Sequence, residues 1–366
     1  MTALIDIIAG ARPNFMKIAP IIHALQAREK QGSKLRFRLV HTGQHYDPRL
    51  SGAFFEQLGI PEPDENLEVG SGTQAEQTAA IMIRYEQLLL QQTSELCLVV
   101  GDVTSTMACA IAAQKLGVPV AHVEAGIRSD DWTMPEEINR LVTDSITNWF
   151  FTTSEVANKN LRNSGIEDKR IFFVGNTMID TLMANLDRLQ APTFWSELGL
   201  KAGNYFVVTL HRPANVDALE GFATLLTTIG EATRDLPVIF PVHPRTAKTM
   251  REMEAVPENI KLVDPQPYLE FNYLVKNAKA VITDSGGITE ETTVMGVPCM
   301  TLRDNTERPE TVTIGTNELL GTDPAALRPA LDTLFAGRWK QGAIPEKWDG
   351  KTAQRIVAHL EELLCV

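Results

Sequence analysis

The feature of this chain that most restricts its fold is a recurring unit. A short apolar run rich in β-branched residues is followed by a loop of Gly, Asp or Ser, then by a stretch with apolar residues at helical spacing. The runs fall at 4–9, 37–41, 96–101, 120–123, 149–152 and 171–174, and again at 205–209, 238–242, 261–263, 280–283 and 298–302. They are nearly continuous rather than alternating, which predicts strands buried on both faces, as in parallel sheets. Helices between the strands must cover those faces, so the pattern predicts repeated βα units. Phe15, Ile18, Ile21, Ile22 and Leu25 show the helical spacing most clearly.

Such a series can close into one barrel or lie open as two doubly wound sheets. Between Asn176 and Asn204 the rhythm breaks, with Pro192, an isolated Trp195 and the turn-forming Lys201-Ala202-Gly203-Asn204. A hinge is therefore expected near residues 174–178. The expected fold class is α/β, with two Rossmann-like doubly wound parallel-sheet domains facing a central cleft. The expected boundaries are 1–174 and 175–350, with a last helix in 351–366 packing back on the first domain. Ligands of such sheets sit at the carboxyl ends of the strands, so the chemistry is to be sought there.

Composition narrows the function. Lys and Arg number 34 against 46 Asp and Glu, a net charge of −12 over 366 residues. A nucleic-acid or anionic-membrane surface needs a basic field instead, so neither is an expected partner. An anionic small molecule stays open, because a pocket needs only a few well-placed cations. Cys97, Cys109, Cys299 and Cys365 are scattered, without CxxC or zinc-like spacing. Three of them sit in apolar stretches and read as small core residues in a reducing compartment. Asp6, Arg12 and Lys17 interrupt the first apolar stretch too early for a signal sequence. No run reaches the ~18 apolar residues of a membrane span, and the expected location is the cytoplasm.

The strand ends hold the candidate site residues. The first run leads into Gly10-Ala11-Arg12-Pro13, with Lys17 close behind. Glycine permits a tight turn and Pro13 suits a first helical turn, whose unpaired N–H groups then face an anion together with Arg12 and Lys17. An ordinary strand–helix turn with surface cations reads equally well from this segment alone. The run at 280–283 ends in Asp284-Ser285-Gly286-Gly287, then Ile288, Thr289, Glu290 and Glu291. The glycines let backbone N–H groups approach a phosphate, Ser285 can cap the helix, and the two acids are expected in its first turn. One of them can grip a ribose diol, since a carboxylate accepts from two hydroxyls.

Asp102 and Glu124 end neighbouring runs, and Pro135-Glu136-Glu137-Ile138-Asn139-Arg140 follows. Three acids converging on one rim cost energy unless chemistry uses them. In the second half, one strand delivers His211-Arg212 and another His243-Pro244-Arg245, each His a candidate acid or base.

Taken in order from about residue 4 to about residue 322, these segments resemble the non-hydrolysing UDP-N-acetylglucosamine 2-epimerases. The matching set is Gly10–Pro13 with Lys17, Thr42-Gly43-Gln44-His45, Gly101-Asp102, 122–128 and 135–140. In the second half it is His211-Arg212, 284–291 and 303–310. The resemblance implies the two-Rossmann architecture of the GT-B glycosyltransferases, a homodimer, and no cofactor or metal. It implies loss of UDP from carbon 1 as a proton leaves carbon 2, a glycal intermediate, and re-addition to give UDP-N-acetylmannosamine. Asp102, Glu124, Glu136 and His211 would be the catalytic groups. Arg12, Lys17, Ser285, Gly286, Gly287 and Arg308 would hold the diphosphate, Glu291 the ribose, and Phe271 and Gln266 the uracil. Gln44, His45, Arg212 and His243 would make sugar or regulatory contacts.

Two segments depart from the common pattern. Pro213-Ala214-Asn215 stands where many members have Arg-Glu-Asn after the His-Arg pair, and Tyr46-Asp47 follows Gln44-His45 in place of Arg-Glu. These departures leave allosteric activation by UDP-N-acetylglucosamine open. They also keep alternatives in view: a 2-epimerase of another UDP-2-acetamido sugar such as a 2,3-diacetamido uronic acid, a hydrolysing epimerase, a GT-B glycosyltransferase, or a non-catalytic UDP-sugar sensor.

Overall fold

The computed structural model describes residues 2–43, 55, 57–242, 244–253 and 255–365. The chain divides into two compact units, Met1–Met183 with Glu346–Val366, and Ala184–Pro345.

The first unit contains β1 (Ala3–Ala9), β2 (Leu35–His41), β3 (Glu65–Asn66), β4 (Leu96–Val100), β5 (Val120–Val123), β6 (Trp149–Thr152) and β7 (Ile171–Phe173). They form one seven-stranded sheet in the order β3-β2-β1-β4-β5-β6-β7, and every pairing is parallel. The second unit contains β8 (Phe206–Thr209), β9 (Val238–Pro241), β10 (Ile260–Val263), β11 (Ala280–Thr283), β12 (Cys299–Thr301) and β13 (Asn317–Leu319). Its six-stranded sheet runs β10-β9-β8-β11-β12-β13, again all parallel. Each sheet grows outward from its first strand in both directions. The switch points therefore lie between β1 and β4 and between β8 and β11, where an open α/β sheet leaves a crevice at the carboxyl edge.

The apolar runs account for this architecture. Ile5, Ile7, Leu96, Leu98 and Val99 are fully buried, as are Val207, Ile239, Val281 and Ile282 in the second sheet. Helices on both faces take these side chains out of water. β3 and β13 break the rule: Glu-Asn and Asn-Glu-Leu are not apolar runs. They are short edge strands held by the backbone ladder with β2 and β12, so periodicity cannot find them.

The last helix, Thr352–Leu363, belongs to the first unit. Asp180 accepts from its first N–H groups, Thr352 N at 3.1 Å and Ala353 N at 2.7 Å. Trp348, fully buried just before it, donates Nε1–H to the Thr153 carbonyl at 3.0 Å. Arg28 on the first helix, Arg12–Lys30, pairs with Glu361. Cys97, Cys109 and Cys299 are buried free thiols while Cys365 is exposed, and burial pushes the three core thiols up. No helix among the described residues is long and apolar enough to cross a membrane.

Candidate active site

At the switch point of the first sheet, β1 turns at Gly10 into helix Arg12–Lys30. Asn14 fixes the turn: its Oδ1 accepts from the N–H groups of Gly10 and Ala11 at 3.1 Å, and its Nδ2 donates to the Val100 carbonyl at the end of β4. A side chain at position 10 has no room. Its Cβ would stand 2.0 Å from Ser105 Oγ and 3.2 Å from Thr42 Oγ1, two hydroxyls that share a 2.7 Å hydrogen bond.

Beyond that turn the acids gather. Lys17, one turn into the helix, forms a buried ion pair with Glu124. A Cβ at Gly101, whose φ is +68°, would lie 3.0 Å from Lys17 Nζ and 3.7 Å from Glu124 Oε2, so the bare glycine admits both groups. Glu124 itself adopts φ +69°, a left-handed conformation that costs a non-glycine residue roughly 1–2 kcal/mol and concentrates at functional sites.

Asp102 follows β4 and receives Arg140 through Nε at 3.0 Å and Nη2 at 2.6 Å, while Asn139 donates to its backbone carbonyl at 2.8 Å. Arg140 is anchored in turn by Glu137 at 2.7 Å. Burial would raise the Glu137 carboxyl, but the Ser129 N–H, Arg140 and the Asp130 N–H outweigh it and hold the group below its usual value. His122 on β5 lies 2.7 Å from Asp144 through Nδ1 and 2.8 Å from the Gly101 carbonyl through Nε2. Burial would raise Asp144 too; His122 and Arg128 bring it below its ordinary value.

In the second unit β8 delivers His211, whose Nδ1 lies 2.8 Å from Asp284 Oδ1 at the end of β11. Asp284 is fully buried. It also accepts from the backbone N–H of His211 at 3.0 Å, that of Arg212 at 2.9 Å and Asn215 Nδ2 at 3.1 Å. Burial alone would raise this carboxyl, yet His211, the Arg212 N–H and Asn215 hold it below the usual range. A nitrogen facing a carboxylate carries the hydrogen, which makes Nε2 the proton acceptor of the neutral ring. A cavity of about 180 Å³ is lined by Thr209, Leu210, His211, Pro241, Pro265, Gln266 and Phe271. His211 thus shares a pocket with Gln266 and Phe271, which follow it by more than fifty positions. Phe271 also packs against the core cluster of Leu200, Tyr205, Val207 and Leu274.

After β11 the chain passes through Ser285 into helix Gly286–Met295. The Ser285 side chain makes no capping hydrogen bond, in contrast to the expected cap. The helix begins at Gly286, so Glu290 and Glu291 fall in its second turn rather than its first. Glu290 pairs with Arg308 at 2.7 Å. Burial pushes the Glu291 carboxyl up to about 7; the neighbouring Tyr268 hydroxyl and Asn272 amide act against the rise, and the charge of Glu290 adds to it.

Glu136 is exposed on the first turn of helix Pro135–Ile146, beside the buried Glu137. Arg12 opens its helix. Gln44, His45, Tyr46, Asp47 and His243 lie outside the described residues. Sequence reasoning did not assign Asp284, Arg140, Glu137, Asp144 or Asn14. One signal was available: Glu137, Arg140 and Asp144 recur at i, i+3 and i+7, a polar stripe on the buried face of a helix. Among the described residues no three His, Cys, Asp or Glu side chains gather as a metal-binding group.

The family model described as UDP-N-acetylglucosamine 2-epimerase matches residues 27–361. The UDP-N-acetylglucosamine 2-epimerase of Methanocaldococcus jannaschii is 40% identical over 366 residues, covering 96% of this chain and 97% of its own. The UDP-2,3-diacetamido-2,3-dideoxy-D-glucuronate 2-epimerase of Pseudomonas aeruginosa is 40% identical over 322 residues, covering 86% and 87%. Among solved structures, that of the M. jannaschii UDP-GlcNAc 2-epimerase in complex with UDP-GlcNAc and UDP matches with a TM-score of 0.87, covering 98% of this chain and 99% of its own. With two parallel-sheet Rossmann-like domains and a match over nearly its whole length, the chain belongs to the UDP-N-acetylglucosamine 2-epimerase family of isomerases.

Proposed function

We propose that this protein interconverts UDP-N-acetylglucosamine and UDP-N-acetylmannosamine by elimination and re-addition of UDP. The observation that carries the reading is 40% identity to the M. jannaschii UDP-N-acetylglucosamine 2-epimerase over 96% of the chain. In the first half-reaction a base takes the proton from carbon 2 while the carbon 1–oxygen bond breaks, its electron pair leaving on UDP. In the second half, UDP oxygen returns to carbon 1 and a proton reaches the opposite face of carbon 2. This chemistry needs groups that stabilise charge at the leaving oxygen and an acid or base on each face of the sugar.

Asp102, Glu124 and Glu136 are the carboxylates assigned to that work, and His211 is the group contributed by the second unit. The strained backbone of Glu124, the clamp of Arg140 on Asp102 and the grip of Asp284 on His211 support these roles, since each fixes a reacting group in one orientation. Ser285, Gly286 and Gly287 at a helix N-terminus, with Arg12, Lys17 and Arg308, are assigned to the diphosphate. Glu291 takes the ribose, and Gln266 and Phe271 in their shared pocket take the uracil. Lys17 sits on Glu124 in this structure, which gives it a second task of fixing that carboxylate. Gln44, His45, Arg212 and His243 keep the sugar or regulatory role.

A second reading, epimerisation of a 2,3-diacetamido uronic acid linked to UDP, is favoured by the 40% identity to the P. aeruginosa enzyme. Offering both nucleotide sugars separately and following epimer formation by anion-exchange chromatography decides between them. Faster turnover of UDP-N-acetylglucosamine is expected; turnover of the uronate alone would overturn the first reading. A cytoplasmic homodimer completes the proposal. Buried thiols support a reducing compartment. A cavity of about 560 Å³ lined by Met82, Met107 and Ile138, the last of them an exposed apolar side chain, supports pairing with a second copy.

A further inference from the structure

The arginines above helix Gly286–Met295 allow one assignment more, which rests on the reading of the Ser285–Gly287 turn as a diphosphate site. Around the point where a Cβ of Gly286 would stand are Glu307 Oε1 at 3.2 Å, Arg303 Nη1 at 3.6 Å and Arg308 Nη1 at 3.6 Å. Gly286 is the first residue of that helix. The positive end of the helix dipole and its first N–H groups therefore meet two guanidinium groups here, a combination that favours an anion.

A carboxylate now stands at this spot. Glu307 Oε2 lies 2.7 Å from Arg303 Nη2, and Oε1 lies 3.4 Å from Arg308 Nη1. Arg308 has a second anchor in Glu290, 2.7 Å from its Nε. Arg303 differs. Its Nη2 also donates to Asn305 Oδ1 at 3.1 Å. Its Nη1, however, belongs to a residue 5% exposed and has no hydrogen-bond partner among the described residues. A buried guanidinium N–H without an acceptor is costly, and such a group in a well-packed protein calls for a reason.

We propose that Arg303 is a diphosphate-binding residue and that Glu307 is the internal anion holding its place. When UDP binds, a phosphate oxygen takes the acceptor position of the Glu307 carboxylate over the helix N-terminus and gives Arg303 Nη1 the partner it lacks. The planar fork of arginine suits this exchange, because it can keep one anion on Nη2 while Nη1 takes another. Glu307 meanwhile keeps the two guanidinium groups from repelling each other.

Isothermal titration of the full chain with UDP, uridine and inorganic pyrophosphate tests the assignment on wild type, Arg303→Gln, Arg303→Lys and Glu307→Gln, each first checked by thermal melt. Arg303→Gln is expected to bind UDP and pyrophosphate at least about tenfold more weakly, the scale of one charge-assisted hydrogen bond, with uridine unaffected. Glu307→Gln is expected to bind both several-fold more tightly. Wild-type affinity for UDP and pyrophosphate in Arg303→Gln overturns the proposal. Weaker binding by Glu307→Gln overturns it too, because the carboxylate would then be supporting the ligand rather than standing in for it. If Arg303→Gln does not fold, Arg303→Lys gives the same decision, since it keeps the charge but loses the fork: reduced diphosphate affinity supports the assignment and unchanged affinity overturns it. A wild-type chain that binds pyrophosphate through Arg303 but not UDP keeps the assignment and overturns the nucleotide reading instead.

Discussion

Replacing Glu291 by Gln should make the second unit more stable at neutral pH while weakening its hold on UDP. Glu291 is 4% exposed on helix Gly286–Met295, and burial pushes its carboxyl from 4.5 up to about 7 against the neighbouring Tyr268 hydroxyl and Asn272 amide. A rise of this size corresponds to about 3 kcal/mol at ~1.36 kcal/mol per pH unit. The sign follows from which state ionises first. In the unfolded chain the carboxyl loses its proton near 4.5, in the folded chain only near 7. Between those values the folded state holds a proton that the unfolded state has released, so stability falls as pH rises. The penalty is absent below the unfolded value and complete above the folded one.

Glu291→Gln removes the penalty and keeps the shape. Its melting temperature by scanning calorimetry should exceed that of wild type by roughly 5 °C or more at pH 8, given about 2–4 °C per kcal/mol for a unit of this size. The two should converge toward pH 4.5. In UDP titrations the variant should lose about tenfold in affinity, because an amide oxygen accepts from a ribose diol less well than a carboxylate. A variant no more stable than wild type at pH 8, or one whose gain is the same at pH 4.5, would refute the reasoning. Stability given up for binding in this way is a common feature of functional sites.

Four further outcomes are expected. Asp102→Asn should keep UDP affinity by calorimetry while turnover falls by at least about a hundredfold; near-wild-type turnover would remove Asp102 from the chemistry. Asp284→Asn should lower kcat about tenfold or more through misorientation of His211, with KM little changed, and a KM effect alone would contradict it. Gly10→Ala should destabilise the first unit by about 1–3 kcal/mol in urea unfolding, since its Cβ would meet Ser105 Oγ at 2.0 Å, and adding Ser105→Gly should recover part of that loss. Trp348→Ala should cost the first unit roughly 3–5 kcal/mol; an unchanged melting curve would show that the buried indole does not fasten the last helix.

The interior of both sheets was legible because buried parallel strands leave continuous apolar runs, and the residues ending those runs could be named as site candidates. What stayed hidden depends on partners distant in sequence. Arg140 clamps Asp102 across 38 positions and Asp284 holds His211 across 73, and no local pattern announces either pairing. Lys17 reads from sequence as a phosphate cation because it follows a helix N-terminus, yet its position one turn in lets the ammonium reach Glu124. β3 and β13 escaped notice because edge strands need no apolar run. Glu290 and Glu291 read as first-turn acids, but the helix starts directly after Ser285 and residues 286–289 fill its first turn, which leaves both acids in the second.

Proton and phosphorus NMR of the protein with UDP-N-acetylglucosamine in deuterated water tests the central claim most directly. Elimination and re-addition predict a second UDP-sugar, the manno epimer, with deuterium at carbon 2 of both and UDP retained. Free UDP with N-acetylmannosamine and no UDP-linked epimer, or an unchanged substrate without deuterium at carbon 2, would contradict it.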